Sequence, residues 1–65
     1  MERYEAVGIR LETFLKELGV KYKVNATDSY MYIYVTSMED KAKCPYVFEG
    51  FSTIVRVVDP KRLPK

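Results

Sequence analysis

Three tyrosines that alternate with aliphatic residues between positions 30 and 35 are the residues of this sequence best suited to binding a partner. Successive side chains of a strand point to opposite faces, so Tyr30, Tyr32 and Tyr34 share one face and the aliphatic residues share the other. An aliphatic face is typical of a core, whereas a row of tyrosines is typical of a surface that contacts a partner. The sequence therefore predicts binding through aromatic side chains on one side of a sheet.

Residues suited to catalysis or metal binding are few. The chain has no histidine and one cysteine, Cys44, so this thiol lacks the imidazole base that a papain-like site requires. Lys43 could lower the pKa of the thiol, but we interpret Cys44 as a small buried hydrophobe. The carboxylates are scattered, and a domain of this size has little room for a cleft in which two of them converge. We expect no enzyme, no cofactor and no metal site.

Basic residues are expected to line the tyrosine face. The segment 20–26 alternates strictly between apolar and polar residues, which predicts a half-buried strand with Lys21 and Lys23 on its polar side. Turn-forming residues follow, and a tight hairpin brings the aliphatic sides of both strands together. In that register Lys23 lies opposite Tyr32, and Lys21 lies opposite Tyr34.

Arg56 is expected to extend this face onto a third strand. Residues 52–58 are rich in β-branched side chains and favour a strand, in which Arg56 is the single charged residue. A charge on a half-buried strand should face water, so we place Ile54, Arg56 and Val58 on the tyrosine side. The opposite assignment would turn Arg56 toward the core and shorten the face.

Tyrosines beside lysine and arginine on an open sheet face are compatible with three functions. The first is a protein interface, including a homodimer of this chain, in a role such as an inhibitor or accessory factor of a larger protein. The second is weak, sequence-tolerant binding of single-stranded nucleic acid, whose bases stack on aromatic rings while cations follow its backbone. The third is an ordinary solvated face. We take the protein interface as the leading hypothesis and nucleic acid as the alternative.

The predicted partner-binding residues are Tyr30, Tyr32, Tyr34, Lys21, Lys23 and Arg56. The basic residues Lys61, Arg62 and Lys65 near the end of the sequence would assist nucleic-acid binding.

Length and composition narrow the class of protein. A chain of 65 residues forms one domain and buries only about 60% of its unfolded surface. A single cysteine excludes an internal disulfide, so packing or self-association must supply the stability. The net charge of +2 is small beside that of a dedicated duplex-binding module. No signal peptide or membrane span is evident, so we expect a cytoplasmic protein with a reduced thiol.

Two helices are predicted on the other side of the sheet. An apolar stripe at three-and-four spacing predicts a helix over residues 2–18, which Gly19 should end in a left-handed conformation. Gly8 costs about 1 kcal/mol inside a helix, and we expect it to permit close approach to the sheet. Ser37 is a predicted N-cap for a short helix over 38–44, which Pro45 should end.

The predicted fold is a two-layer α+β sandwich in the order αββαβ. A helix of about 2–18 packs on a three-stranded mixed sheet of about 20–26, 30–36 and 52–58. The connection 37–50 is long enough for a crossover, so the third strand should run parallel to the second. A right-handed crossover would place both helices on one face. We predict a single domain over 1–59 and a short basic tail over 60–65.

Overall fold

Two helices and four strands form two layers in the computed structural model, which describes residues 2–62. In chain order the elements are α1 (Arg3–Glu17), β1 (Tyr22–Ala26), β2 (Tyr30–Val35), α2 (Met38–Lys43), β3 (Val47–Phe48), β4 (Phe51–Val57) and a C-terminal 3-10 turn (Pro60–Arg62). The strand order is β1-β2-β4-β3, with β2 antiparallel to β1 and parallel to β4, and β3 antiparallel to β4. The α+β class, the order of the predicted elements and the parallel third strand are confirmed.

The core lies between the helices and one face of the sheet. Its largest fully buried side chains are Val7, Leu11 and Leu15 of α1, and Met31, Ile33 and Val35 of β2. These are the residues that helical and strand periodicity predict for the two inner faces. Both helices cover the same side, because Cys44, which directly follows α2, belongs to the same buried cluster as the α1 side chains.

Helix α1 approaches β1 at an unusually short distance. Gly8 is buried, and a Cβ built on it would lie 2.8 Å from the Cβ of Ala26. A side chain at position 8 would therefore push the helix away from the strand. The expectation that Gly8 permits close packing against the sheet is confirmed. At the other end of the helix, the N–H groups of Gly19 and Val20 bond to the carbonyls of Lys16 and Leu15, which is the predicted left-handed cap.

The β1–β2 hairpin has the predicted faces, but its predicted register is wrong by two residues. Lys23 pairs with Tyr34 instead of Tyr32, and Asn25 pairs with Tyr32. Thr27 closes a tighter turn than expected, because its N–H and its hydroxyl both donate to the Tyr30 carbonyl, at 2.9 and 2.8 Å. A shift of two residues keeps every side chain on its predicted face.

A fourth strand was not predicted. The end of the predicted connection 37–50 forms a hairpin with the residues that follow it, in which β3 pairs with the start of β4 through a two-residue turn. Both turn residues have positive φ, 50° at Glu49 and 86° at Gly50, as hairpins with a type I′ turn require. Glutamate is uncommon at such a position, so the turn signal in the sequence is weak.

Side chains of α1 hold this second hairpin. The Arg10 guanidinium donates two hydrogen bonds of 2.7 Å to the Glu49 carboxylate, and Arg3 donates to the Glu49 carbonyl at 2.8 Å. The Arg3 guanidinium also lies 4.8 Å from the centre of the Phe51 ring, within the range of a cation–π contact. Phe14 packs on Phe48 with ring centres 5.6 Å apart. The turn is thus fixed to the helix layer and leaves the opposite side of the sheet free.

Helix α2 is capped and ended as predicted. The Ser37 hydroxyl accepts a hydrogen bond from the Asp40 N–H at 3.1 Å. The residue before Pro45 leaves the helical conformation, with Cys44 at ψ 143°, as the proline ring requires. The helix is only six residues long, so it covers β4 incompletely.

Candidate binding face on the open side of the sheet

The side of the sheet opposite the helices carries the predicted tyrosine row. The strand pairing places three rows of side chains across this open face. One outer row contains Val47, Ser52 and Tyr30; the middle row contains Ile54, Tyr32 and Asn25; the other outer row contains Arg56, Tyr34 and Lys23. The face has an apolar end and a basic end, which the sequence pattern alone did not reveal.

The predicted assignment of Arg56 to the open face agrees with the strand pairing. Arg56 pairs with Tyr34 in the parallel ladder, and Lys23 pairs with the same tyrosine from β1. Tyr34 therefore lies between two exposed cationic side chains at one end of the sheet. Lys21 is exposed but precedes β1, so it lies beyond the paired ladder and not opposite Tyr34 as expected.

The tyrosines support one another at the apolar end. The rings of Tyr30 and Tyr32 meet edge to face, with centres 6.3 Å apart and an interplanar angle of 63°, a favourable aromatic geometry. Tyr30 is 44% exposed, whereas Tyr32 and Tyr34 are half-buried among their neighbours on the sheet. Much of the surface of Tyr32 and Tyr34 is thus already in contact with neighbours on the sheet, whereas Tyr30 is the more accessible ring.

The apolar end extends onto the unpredicted strand. Val47 is 58% exposed and lies in the same row as Tyr30, with Ser52 between them. Sequence reasoning missed Val47 because a strand of two residues has no periodicity to detect. Its presence on the open face adds an aliphatic side chain to the row that holds the most exposed of the three tyrosines.

The C-terminal turn adds a wall to the basic end. A groove of about 470 Å³ is lined by Lys23, Val24, Asn25, Tyr34, Val58 and Arg62. The turn is held by Asp59, whose carboxylate accepts from the Lys61 N–H at 2.9 Å and whose carbonyl accepts from the Arg62 N–H at 2.8 Å. A third cation, Arg62, therefore joins Lys23 and Arg56 at this end, whereas Lys65 lies outside the described residues.

The open face carries cations without acids. Within residues 2–62, its strand positions contain Lys23 and Arg56 and no carboxylate, and the groove beside Tyr34 adds Arg62. A carboxylate that does pair with a cation, Glu49, lies away from this face and bonds to Arg10 on the helix layer. Hydrogen bonds from Arg10 hold the pKa of Glu49 below its ordinary value. Within the described residues, the strands at the positive end of the open face thus supply no counter-charge, and the carboxylate beside this end is Asp59 of the C-terminal turn, which accepts from the Lys61 N–H.

A second and smaller groove lies on the helix side. It encloses about 260 Å³ between α2 and β4, beneath the exposed side chains of Met38 and Tyr46. Cys44 is part of its lining, but the thiol is buried, and loss of solvation raises its pKa above the ordinary value, with Asp40 adding to the effect. A thiol with a raised pKa is a poor nucleophile at neutral pH, so this groove has no evident reactive group.

A cluster of metal-binding side chains and a membrane-spanning helix are both absent from residues 2–62. Within this range, the cysteine, aspartate and glutamate side chains do not form a group of three that could hold a metal ion. None of the helices between residues 2 and 62 has the length and apolar character needed to cross a membrane. Comparisons with family models, curated proteins and solved structures each found no match, so no relative bears on the function.

Proposed function

We propose that this protein is a small non-catalytic interaction module that binds a protein partner through the open face of its sheet. The observation that carries the proposal is that the strand pairing places the tyrosine row between an exposed aliphatic residue at one end and exposed cations at the other. Tyrosine and arginine are enriched in protein interfaces, and a role as inhibitor or accessory factor needs no further machinery. We also propose that it works in the cytoplasm, where a lone thiol stays reduced.

The size of the face favours a modest contact. The molecule measures 29 by 20 by 20 Å, so burial of the ~800 Å² that each partner commonly contributes to a stable complex would require most of one side. A face of this extent fits a partner that contributes a protruding segment or binds transiently. The same limit applies to a homodimer, which would bury this face twice.

Single-stranded nucleic acid is the second candidate, because the face carries cations and aromatic rings without carboxylates. Two features make it the weaker one. Tyr32 is half-buried and contacts Tyr30 edge to face, so less of its ring is open to a base, and the cations lie at one end of the face. A bound strand needs stacking platforms and cations along its whole path.

Site-specific photo-cross-linking tests the proposal. A photoreactive phenylalanine replaces Tyr30 on the open face or, as a matched control, Tyr46 on the helix side, which is 91% exposed. We expect a discrete cross-linked protein from position 30 and none of that mass from position 46. Identical products from both positions would contradict the proposed face, and nuclease-sensitive products from position 30 would support the nucleic-acid alternative.

Sedimentation equilibrium separates a second copy from a different partner. If the chain forms a homodimer through this face, Tyr32→Ser should dissociate it while Tyr46→Ser should not. A dimer that survives Tyr32→Ser would exclude self-association through the open face. A monomer over the whole concentration range would leave the face free for another protein.

A further inference from the structure

We propose that the partner of the open face is an acidic segment of another protein, with carboxylates at the end near Tyr34 and an apolar side chain at the end near Tyr30. This inference rests on the proposed function and names the chemistry of the partner. It follows from the polarity of the face, which places the cations Lys23, Arg56 and Arg62 at one end and Val47 at the other.

The basic end offers a built recess for carboxylates. The groove of about 470 Å³ has Tyr34 and Val58 in its lining, with Lys23 and Arg62 as its charged residues. Arg56 is adjacent, since it pairs with Tyr34 in the ladder. Carboxylates placed there would meet cations from three elements, and the charge-assisted bonds from arginine are the stronger type. Complementary charge of this kind accelerates association and selects the partner.

A second copy of this chain fits the polarity poorly. In a symmetric face-to-face dimer with its axis along the strands, the row of Lys23, Tyr34 and Arg56 would meet the same row of the other copy, which brings like charges together. With the axis across the strands, that row would meet the apolar row of Val47 and Tyr30, which buries cations without counter-charges. Neither arrangement compensates the basic end, whereas an acidic segment does.

Nuclear magnetic resonance titration of the whole chain tests the inference. The probes are an extended peptide of glutamate, serine and two leucines, the same peptide with lysine for glutamate, and a thymidine oligonucleotide of equal length. We expect the acidic peptide to shift the amide signals of Lys23, Tyr34 and Arg56 and the lysine peptide to shift none. The variant Lys23→Gln/Arg56→Gln should bind the acidic peptide about tenfold more weakly. The control Lys16→Gln/Lys41→Gln, which removes two exposed cations from the helix layer, should bind like the unmodified chain.

Each of the other outcomes overturns either the inference alone or the proposed function as well. Equal weakening in both double variants, which carry the same net charge, would show general attraction and overturn the inference. Open-face signals that shift with protein concentration alone would identify a second copy as the partner, which overturns the inference but leaves the proposed function standing. Binding of the oligonucleotide to this face without the acidic peptide would overturn both. Signal shifts confined to the groove near Met38 and Tyr46 would contradict both the inference and the proposed function, because the open face would not be the binding site.

Discussion

Gly8 and Ala26 bring helix α1 and strand β1 into direct contact, and a Cβ on residue 8 would lie 2.8 Å from the Ala26 Cβ. Neither atom can move alone, since each would be attached to the backbone of a packed element. The contact sets the distance between the two layers at the edge strand. It explains why the helix carries a glycine at a position where alanine would be the better helix former.

Gly8→Ala should therefore destabilise the protein despite the gain in helix propensity. In an unrestricted helix, replacing glycine by alanine would stabilise the fold by about 1 kcal/mol. Overpacking a tight contact, however, costs about 1–3 kcal/mol. We expect a net loss of up to about 2 kcal/mol in the free energy of unfolding, measured by urea denaturation. Adding Ala26→Gly should restore part of the loss, and a Gly8→Ala variant more stable than the unmodified chain would contradict the packing argument.

The ion pair between Arg10 and Glu49 should make stability depend on acid pH. Hydrogen bonds from Arg10 lower the pKa of Glu49 in the folded protein, so the folded state favours the charged carboxylate. Its contribution is complete above the unfolded pKa and disappears as the pH falls through the lower folded pKa. The difference in thermal midpoint between the unmodified chain and Glu49→Gln should therefore be constant near neutral pH and shrink below the ordinary glutamate value of 4.5.

Two controls define that ion pair. Arg10→Gln should remove most of the same pH-dependent difference, because Arg10 is the main cause of the lowered pKa of Glu49 and Arg3 contributes less. Adding Glu49→Gln to Arg10→Gln should then change the thermal midpoint little. High salt should reduce the difference, since both side chains are partly exposed and exposed charges are screened. A difference that persists unchanged below pH 4 would contradict the assignment to Glu49.

The faces of the elements could be predicted from the sequence, but their exact pairing could not. The alternation of Tyr30–Val35 and the stripe of α1 depend on local periodicity, which tertiary packing did not override. The hairpin register depends on Thr27, whose N–H and hydroxyl bond to Tyr30 across a turn of two residues. The turn therefore begins two residues later in the chain than the predicted register requires. A register shifted by two leaves the same faces buried, so the hydrophobic pattern cannot distinguish the two.

The polarity of the candidate face depends on contacts between distant segments. Tyr30, Tyr32, Tyr34, Lys23 and Arg56 were predicted on this side, and the strand pairing places them there. The basic end acquires its wall from Arg62 in the C-terminal turn, and the apolar end acquires Val47 from β3. Neither contribution has a local sequence signal, because each follows from where β4 begins and ends.

The Glu49–Gly50 turn should respond strongly to substitution at Gly50. The φ of 86° at Gly50 lies in the region where a side chain costs about 1–2 kcal/mol. The space is open, since a Cβ there would lie 3.7 Å from the nearest atom, in the Arg3 side chain, so the cost is conformational. We expect Gly50→Ala to lower the free energy of unfolding by about 1–2 kcal/mol, measured by chemical denaturation. An unchanged denaturation midpoint in Gly50→Ala would contradict the positive φ of Gly50.

Glu49→Asn separates the turn from the ion pair. Asparagine tolerates the left-handed conformation better than glutamate, but it has one acceptor oxygen and no charge, so it cannot form the bidentate ion pair in which Arg10 bonds to both oxygens of Glu49. In the Arg10→Gln background that ion pair is already absent, so Glu49→Asn should stabilise the protein by up to about 1 kcal/mol. In the unmodified background the gain should be smaller, because the lost ion pair opposes it. Equal effects in both backgrounds would show that Arg10 and Glu49 are not coupled.

Cys44 should react slowly with thiol reagents in the folded protein. Its side chain is only 8% exposed, its thiol donates to the Asp40 carbonyl, and loss of solvation raises its pKa. A raised pKa lowers the thiolate fraction at neutral pH, and the thiolate is the reactive form. We expect the rate of reaction with a disulfide reagent at pH 7 to be far below that of the urea-unfolded chain and to rise with pH. A native rate equal to the unfolded rate would contradict the burial of Cys44.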